Sequence, residues 1–290
     1  MGISSVTLRA QFRLPMRTSV IVLTYERTDA LDLVLRGLMR QTVLPDEVIV
    51  TDDGSGPATR ACVVQRARGF PSRLVFLTGT HDGPRMGRAR NRGIAAATGD
   101  YVIFLDGDMI PSRHFIADHV AFARPGSFVQ GSRVLTSDER ARTLLAEGRL
   151  DVGFFESGLD RRRHLLRVSF LRALYGRPHK SRTGAKSCNL AFWRDDLVRL
   201  NGFNETMEGW GLEDAELAAR AFHAGLVRRD LRLGGSAVHL WHPPKRLAAD
   251  NPNWPILDDT VARRLVRCER GLEPHLHERE PSNVIVVCAR

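Results

Sequence analysis

Short hydrophobic runs and longer helical patterns alternate in a regular order through about the first 110 residues. The hydrophobic runs are rich in valine, isoleucine and leucine and have the length of buried strands. Between them, apolar residues recur at helical spacing; Leu31, Leu35 and Leu38 fall on one face of the first pattern, which Thr28 is placed to cap. The predicted strands cover 18–24, 47–51, 73–78 and 101–105, and the predicted helices cover 28–41, a stretch after Pro57, and 87–97.

This strict alternation of strand and helix predicts parallel βαβ units with right-handed crossovers. We therefore expect an α/β fold with a mostly parallel central sheet and helices on both faces. Beyond about residue 127 the alternation loosens, which predicts a mixed C-terminal half within the same globular unit. The elements expected there are a helical or irregular stretch at 138–182, strands at 185–193 and 236–240, a helix at 211–222, and an edge strand at 284–287.

The composition suits a large globular domain, since 43% of the 290 residues are hydrophobic and 26% are charged. No hydrophobic run approaches the ~18 residues that a membrane-spanning helix requires. The first fifteen residues carry Arg9 and Arg13 without an apolar stretch, so we expect no secretory leader and a cytoplasmic protein. The four cysteines are far apart and form no C-x-x-C pair, which is typical of reduced, buried thiols.

The formal net charge is +10, and 40 of the 43 basic residues are arginine. Such a skew is typical of genome composition, although a positive field also favours anionic partners such as nucleotides and phospholipids. A nucleic-acid-binding module is the less favoured interpretation, because it would leave the acidic motifs of the chain without a role.

Polar clusters follow the predicted strands, at the edge of the sheet where an open α/β fold binds its ligand. The clusters lie at 24–27, 52–55, 82–91 and 106–108. The most informative is Asp106-Gly107-Asp108, because two carboxylates one residue apart can share a divalent cation, and glycine allows the backbone to approach a ligand closely. Such a cation would neutralise a diphosphate leaving group.

Four segments, in this order and at these distances, resemble the nucleotide-sugar half of GT-A glycosyltransferases of the inverting family-2 type: SVIVLTYER, VIVTDDGS, GPRMGRARNRGI and GDYVIFLDGDMIP. The resemblance implies a UDP-sugar donor and a divalent cation. It implies these roles: Thr24, Tyr25 and Glu26 in the base pocket, Asp53 on the uracil or ribose, Arg88 (or its neighbour Arg85) on the base or diphosphate, Asp106 on the ribose or the metal, and Asp108 as the principal metal ligand.

A second acidic cluster lies in the segment GWGLEDAEL, at the start of a predicted helix. Carboxylates interact well with a helix N-terminus, which also favours the ionised form that a general base needs. The segment resembles the WG-x-ED motif of galactosyltransferase-like and chondroitin-polymerase-like members of the family. The resemblance implies Asp214 as the base that activates the acceptor hydroxyl, with Glu213 and Trp210 on the acceptor sugar, and inversion at the anomeric carbon.

The late segment VHLWHPP carries two histidines after a short predicted strand. GT-A enzymes often place a late histidine as a third metal ligand, and the resemblance favours His242 in that role, with His239 as the alternative. A nitrogen ligand beside two carboxylates suits Mn²⁺ better than Ca²⁺. We therefore expect Mn²⁺, or Mg²⁺, held by Asp106, Asp108 and His242.

An arginine-rich segment at 161–182 contains Leu166, Phe170, Leu171 and Leu174 at helical spacing. The favoured interpretation is a surface helix with one face on the core. The alternative is a basic amphipathic patch that rests on an anionic membrane, which would make the protein peripheral at the inner face of that membrane.

Together these features predict a metal-dependent inverting glycosyltransferase that moves a sugar from a UDP-sugar to a saccharide or other hydroxyl acceptor. We expect an N-terminal extension (1–17), a nucleotide-sugar half (18–135), an acceptor and catalytic-base half (136–245) and a tail (246–290). A nucleotidyltransferase is less favoured, because the residues after the first strand lack a glycine-rich, lysine-bearing loop. A non-catalytic protein that binds nucleotide sugars or anionic surfaces is the alternative. The donor sugar and the acceptor stay open.

Overall fold

Strands and helices alternate along the chain of the computed structural model, which describes residues 16–81, 83–171 and 175–277 and the backbone of 284–288. The strands are β1 (Thr18–Thr24), β2 (Glu47–Asp52), β3 (Arg73–Leu77), β4 (Tyr101–Asp106), β5 (Met109–Pro111), β6 (Ser127–Gln130), β7 (Ser132–Thr136), β8 (Leu159–Asp160), β9 (Asn189–Trp193), β10 (Val227–Asp230), β11 (Ser236–His239) and β12 (Val284–Cys288). The helices are α1 (Thr28–Met39), α2 (Pro57–Ala67), α3 (Met86–Ala96), α4 (Phe115–Phe122), α5 (Asp138–Glu147), α6 (Arg194–Leu200), α7 (Glu213–His223), α8 (Trp254–Ala262) and α9 (Glu273–His277).

The central sheet has eight strands in the order β10-β6-β9-β4-β1-β2-β3-β12. Strands β4, β1, β2 and β3 are parallel, as the alternation of strand and helix predicts. Strand β9 enters antiparallel between β4 and β6, and β12 closes the far edge antiparallel to β3. The predicted α/β fold with a mainly parallel sheet is therefore confirmed, and three strands from the second half, β9, β10 and β12, complete the sheet begun by the first.

Apolar side chains on both faces of this sheet form its two main core clusters. Leu31 and Leu35 of α1 lie on one face and Ile94 of α3 on the other, and all three are fully buried. Helix α3 lies very close to the strands because Gly93 faces them; a Cβ there would be 2.7 Å from a methyl of Ile21. Because that approach holds α3 against β1 and β2, the side chains at its N-terminal end lie near the carboxyl edge of the sheet.

A smaller sheet, in the order β5-β11-β7-β8, lies beside the carboxyl edge of the central one. Strand β5 follows the Asp106–Asp108 turn directly, and β11 pairs with it antiparallel, with His239 opposite Met109. The amide of Leu240 also donates to the carbonyl of Asp108 at 3.0 Å. This pairing brings a segment from late in the chain to the end of β4.

Two predictions of local structure were wrong. Thr28 is the first residue of α1 rather than its cap; Arg27 precedes the helix and the Thr28 hydroxyl lies 3.2 Å from that of Thr59. Residues 161–171 form two short 3₁₀ turns (162–165 and 169–171) instead of the start of one helix, because Arg167, between them, is drawn away to the buried carboxylate of Asp118 at 3.0 Å.

Leu166 and Phe170 are exposed in these turns, Leu174 lies outside the described residues, and the membrane patch stays a prediction. In the described part of the chain, none of the helices has the length and apolar character needed to cross a bilayer. The predicted extension at 1–17 falls almost entirely outside that part, so the absence of a leader and the cytoplasmic location stay predictions.

Candidate active site

A cavity of about 160 Å³ opens at the carboxyl ends of β1, β2 and β4. The structure brings together there five of the residues singled out in the sequence: Thr24, Tyr25, Asp53, Asp106 and Asp108. Each of them ends one of three adjacent parallel strands or lies within two residues of its end. The turn after β4 is tight enough to need glycine, since a Cβ on Gly107 would lie 2.9 Å from the carbonyl oxygen of Leu23.

The first loop supplies an aromatic surface and a buried hydroxyl. The ring of Tyr25 stacks on that of His81 with 4.4 Å between centroids, and 44% of Tyr25 stays exposed. The Oγ1 atom of Thr24 is buried and has no hydrogen-bond partner within the described residues. Glu26 does not line the cavity: its carboxylate accepts the amide of Gly56 at 2.7 Å, which ties the first loop to the second.

Asp53 also lines the cavity and is buried, and its carboxylate accepts the backbone amide of Arg85 at 3.1 Å. Burial raises the pKa of Asp53 in spite of that hydrogen bond. Arg88, which the resemblance placed on the base or diphosphate, is exposed on α3 and does not line this cavity. The side chain of Arg85 points to Glu208, with 2.8 Å between the charged groups.

The arginine that does enter the site is Arg90, only 2% exposed on the inner face of α3. Its guanidinium lies 3.0 Å from the carboxylate of Asp106 and 3.4 Å from that of Glu213, and 5.4 Å from the centre of the Phe203 ring. One buried cation therefore joins the strand-end motif to the acidic helix. No motif in the sequence assigned Arg90 this role, although it lies at helical spacing from the buried Gly87 and Ile94.

Asp108 lies between two imidazoles, with Nε2 of His239 at 3.6 Å and Nε2 of His242 at 3.7 Å. One ligand atom from each of the three residues falls within 4.8 Å of the others, which is a geometry that fits a metal ion. Burial alone would raise the pKa of Asp108, but the neighbouring His239 and His242 lower it below its ordinary value. The structure brings both histidines to the cluster rather than one, and it leaves Asp106 paired with Arg90.

A second cavity of about 390 Å³ adjoins the first, and Met86 and Asp106 line both. Its walls carry the acidic pair at the start of α7 together with aromatic and basic groups. Its polar and aromatic lining includes Trp210, Glu213, Asp214, Lys186, Trp241 and His242. The structure therefore brings the predicted base and acceptor residues next to the strand-end carboxylates.

Asp214 lies at the N-terminus of α7, where one carboxylate oxygen accepts the amide of Ala215 at 2.9 Å and the other accepts that of Ser187 at 3.3 Å. Burial, reinforced by the adjacent Glu213, raises its pKa to about 6, although Lys186 and Arg90 act in the opposite direction. The helix N-terminus was expected to favour ionisation; desolvation outweighs it. A pKa near neutral is what an efficient general base requires.

The loop that carries Trp210 is held by the tail of the chain. Asn253 is 2% exposed, and its side-chain amide donates to the carbonyls of Glu208 at 3.0 Å and Gly211 at 2.9 Å. The amide of Asn251 donates to the carbonyl of Trp210 at 3.0 Å. These contacts leave Trp210 37% exposed beside the cavity. No motif in the sequence indicated that residues of the tail would support this loop.

The sheet is mainly parallel and carries paired acids at its carboxyl edge, and the adjoining cavity holds a carboxylate whose pKa is raised. This is the architecture of GT-A glycosyltransferases. Solved structures agree: TarS 1–349 of S. aureus, in complex with UDP-GlcNAc, superposes with a TM-score of 0.58 at 18% identity, over 90% of this chain and 69% of that one. A mannosyltransferase of Pyrobaculum calidifontis, in complex with GDP-Man and Mn²⁺, gives 0.51 at 22% identity, over 91% of this chain and 69% of that one.

The profile of glycosyl transferase family 2 matches residues 19–180, more than half of the chain, which therefore belongs to that family. The N-terminal domain of galactosyltransferase matches 172–242. Among curated relatives, the chondroitin synthase of Escherichia coli is 28% identical over 80% of this chain and 36% of its own length. A validoxylamine A glucosyltransferase of Streptomyces hygroscopicus subsp. limoneus is 29% identical over 72% of this chain and 48% of its own. The chain thus spans half or less of these two relatives.

Proposed function

We propose that this chain transfers a sugar from a UDP-sugar to a hydroxyl group of an acceptor, with inversion and with the help of a divalent cation. The observation that carries the proposal is the junction of the two cavities at Asp106. Asp108 lines one cavity, and the other is lined by the two histidines of its cluster and by Asp214, whose pKa of about 6 suits proton transfer. A donor and an acceptor bound on the two sides would meet at this junction.

The uridine is proposed to bind in the cavity at the ends of β1 and β2. The stacked ring of Tyr25 offers a face for the base, and the unpartnered Thr24 hydroxyl and the Asp53 carboxylate offer polar groups for the base or ribose. Arg90 holds the Asp106 carboxylate in place at the inner end of this cavity.

Asp108, His239 and His242 would hold the cation. Carboxylate with two imidazoles is a ligand set that suits Mn²⁺ better than Mg²⁺, which prefers oxygen ligands and bound water. When bound, the cation would supply charge to neutralise the diphosphate as it leaves. The role of Asp106 is then to bind the donor rather than the metal, since the metal cluster does not include it and Arg90 pairs with only one of its carboxylate oxygens.

Asp214 is proposed to take the proton of the acceptor hydroxyl. The oxygen then attacks C1 from the face opposite UDP, so that the new glycosidic bond forms as the bond to the diphosphate oxygen breaks. Glu213 is paired with Arg90, which leaves Asp214 as the carboxylate able to accept the proton. Trp210 and Trp241 border the same cavity, each more than a third exposed, and offer ring faces for an acceptor sugar.

Calorimetric titration with UDP, with and without Mn²⁺, tests the donor site directly. We expect binding that requires Mn²⁺ and that weakens by about a hundredfold or more in Asp108→Ala, because the metal loses its carboxylate. Asp258→Ala, an exposed change on α8, serves as the matched control. A folded wild-type protein that ignores UDP under both conditions would refute the uridine assignment. UDP binding without any hydrolysis or transfer of UDP-sugars would favour the non-catalytic alternative.

A further inference from the structure

A third cavity, of about 580 Å³, lies next to the acceptor cavity and is lined largely by basic side chains. Arg133, Lys186 and Cys188 line both cavities, so the two are continuous. We call this cavity the basic cleft. The cationic side chains that line it are Arg133, Arg161, Arg163, Lys186, Arg228 and Arg232.

Asp230 is the carboxylate that opposes these cations among the described residues of the lining. It is shared between Arg228 at 2.8 Å and Arg232 at 3.4 Å, and it also lies 3.4 Å from His179. Arg228 is buried and donates as well to the carbonyl of Thr183 at 2.9 Å, which makes its pair with Asp230 part of the fold. Lys186 is partly compensated by Asp214, and Arg133, Arg161 and Arg163 face the cleft with little compensation.

The rim of the basic cleft is formed by the first 3₁₀ turn of 161–182. Arg161 and Arg163 are exposed there, and Arg161 has only a loose contact with the exposed Asp160, at 3.8 Å. Exposed pairs of that kind contribute little. The pKa of His164 is lowered by burial and, further, by the positive charges of Arg163, Arg161 and Arg232. The electrostatic potential at this rim is therefore positive. A cavity that is continuous with the reaction centre and keeps this much positive charge fits a negatively charged occupant.

We propose that the basic cleft binds a carboxylate or phosphate group of the acceptor, so that the enzyme extends an anionic saccharide. Guanidinium groups bind both anions through paired hydrogen bonds, and several of them surround this cleft. Lys186 and Arg133, at the junction with the acceptor cavity, would contact the charged unit nearest to the reacting hydroxyl. This inference rests on the proposed function, because it assigns the acceptor of the same site.

The test compares one tetrasaccharide in three forms. The first is cellotetraose, the second has C6 of one glucose unit oxidised to a carboxylate, and the third has a phosphate on O6 of the same unit. Dissociation constants are measured by calorimetry at fixed ionic strength, first alone and then with UDP and Mn²⁺. We expect the charged forms to bind about tenfold tighter than the neutral one or better. The ratio of uronate to phosphate affinity distinguishes the two anions. Equal binding of all three forms would overturn the proposal.

The matched variants are R161E/R163E at the cleft and R60E/R68E on and just after α2, with the same change in net charge and with exposed side chains in both pairs. We expect the first pair to abolish the preference for charged tetraoses, while its binding of cellotetraose and of UDP with Mn²⁺ is unchanged. An equal loss in R60E/R68E would mean that net charge alone is responsible and would refute the cleft. If the wild type prefers the charged tetraoses but does not bind UDP, the donor assignment is refuted and the basic cleft is not.

Discussion

The donor and acceptor sides of the site are built in different ways. On the donor side, Thr24, Asp53 and Asp106 come at or directly after the ends of adjacent parallel strands, so the sheet itself places them. On the acceptor side, the cavity combines residues of α3, β7 and α7 with loops far apart in the chain, and Asn253 in the tail holds the Trp210 loop. Strand ends fix positions through regular backbone pairing, whereas loops depend on individual long-range hydrogen bonds.

The two sides are coupled at a single buried guanidinium. Arg90 contacts Asp106 on one side and Glu213 on the other. Variants can therefore be chosen that affect the acceptor chemistry alone, both sides together, or the acceptor loop alone. The three kinds of variant should therefore differ in whether they change turnover, UDP binding or the acceptor KM.

The largest effect on turnover is expected from Asp214→Asn, which removes the base and leaves the donor side intact. We expect kcat to fall by about 10²- to 10⁴-fold, with the affinity for UDP and Mn²⁺ unchanged. The folded-state pKa of about 6 lies above the ordinary value of 3.8, so ionisation of Asp214 costs folding free energy as the pH rises through that interval.

Asp214→Asn should therefore also stabilise the fold by about 1–2 kcal/mol at neutral pH, with partial solvent access limiting the gain. Thermal unfolding measured near pH 7 and below about pH 4 checks the sign, because the difference should vanish at the lower pH. Retained turnover, or a stability gain that is independent of pH, would contradict the assignment of Asp214.

Arg90→Met should damage both sides at once. It leaves the carboxylates of Asp106 and Glu213 near each other without their buried cation, which costs about 3–5 kcal/mol of unfolding free energy. UDP binding and turnover should fall together. Arg88→Met, two residues away on the exposed face of the same helix, is the control and should change stability by less than about 0.5 kcal/mol. Equal behaviour of the two variants in urea unfolding and UDP titration would contradict the coupling role.

Acidification should affect the acceptor chemistry before it affects the fold. Because the proposed base must be ionised, kcat/KM should fall about tenfold for each pH unit below about 6. The pH profile of UDP-sugar transfer measures this limb. A flat profile down to about pH 5 would show that Asp214 does not accept the proton.

The smallest effect is expected from Asn253→Ala, which removes two hydrogen bonds to the Trp210 loop. We expect the acceptor KM to rise by about three- to tenfold, at roughly 1 kcal/mol per bond with some rearrangement of the loop, while the UDP affinity is unchanged. Asn251→Ala removes one bond to the same loop and should give a smaller rise. A change in UDP affinity instead would place the tail on the donor side.

Four predicted donor-side residues, Thr24, Tyr25, Asp53 and Asp106, line the cavity because the information that places them is local, whereas Glu26 and Arg88 do not line it. A hydrophobic run followed by Asp106-Gly107-Asp108 specifies both the strand and the polar group at its end. Arg90 was missed because an arginine on a helix is ordinarily exposed, and only Asp106 and Glu213, distant in sequence, make its burial favourable. Over 161–171 the predicted helix is replaced by 3₁₀ turns for the same kind of reason, since Arg167 binds Asp118 and overrides the local helical spacing.

The position of β9 has a consequence for the nascent chain. Because β9 lies between β4 and β6, the sheet stays open until residue 193 has been synthesised and has left the ribosome. Until then β4, which ends at Asp106, pairs with β1 on one side only. Its other edge has no partner strand and can pair with another chain. A fragment that ends near residue 135 would keep that edge permanently. Expression of residues 1–135 alone should therefore yield aggregates rather than an isolated nucleotide-binding unit.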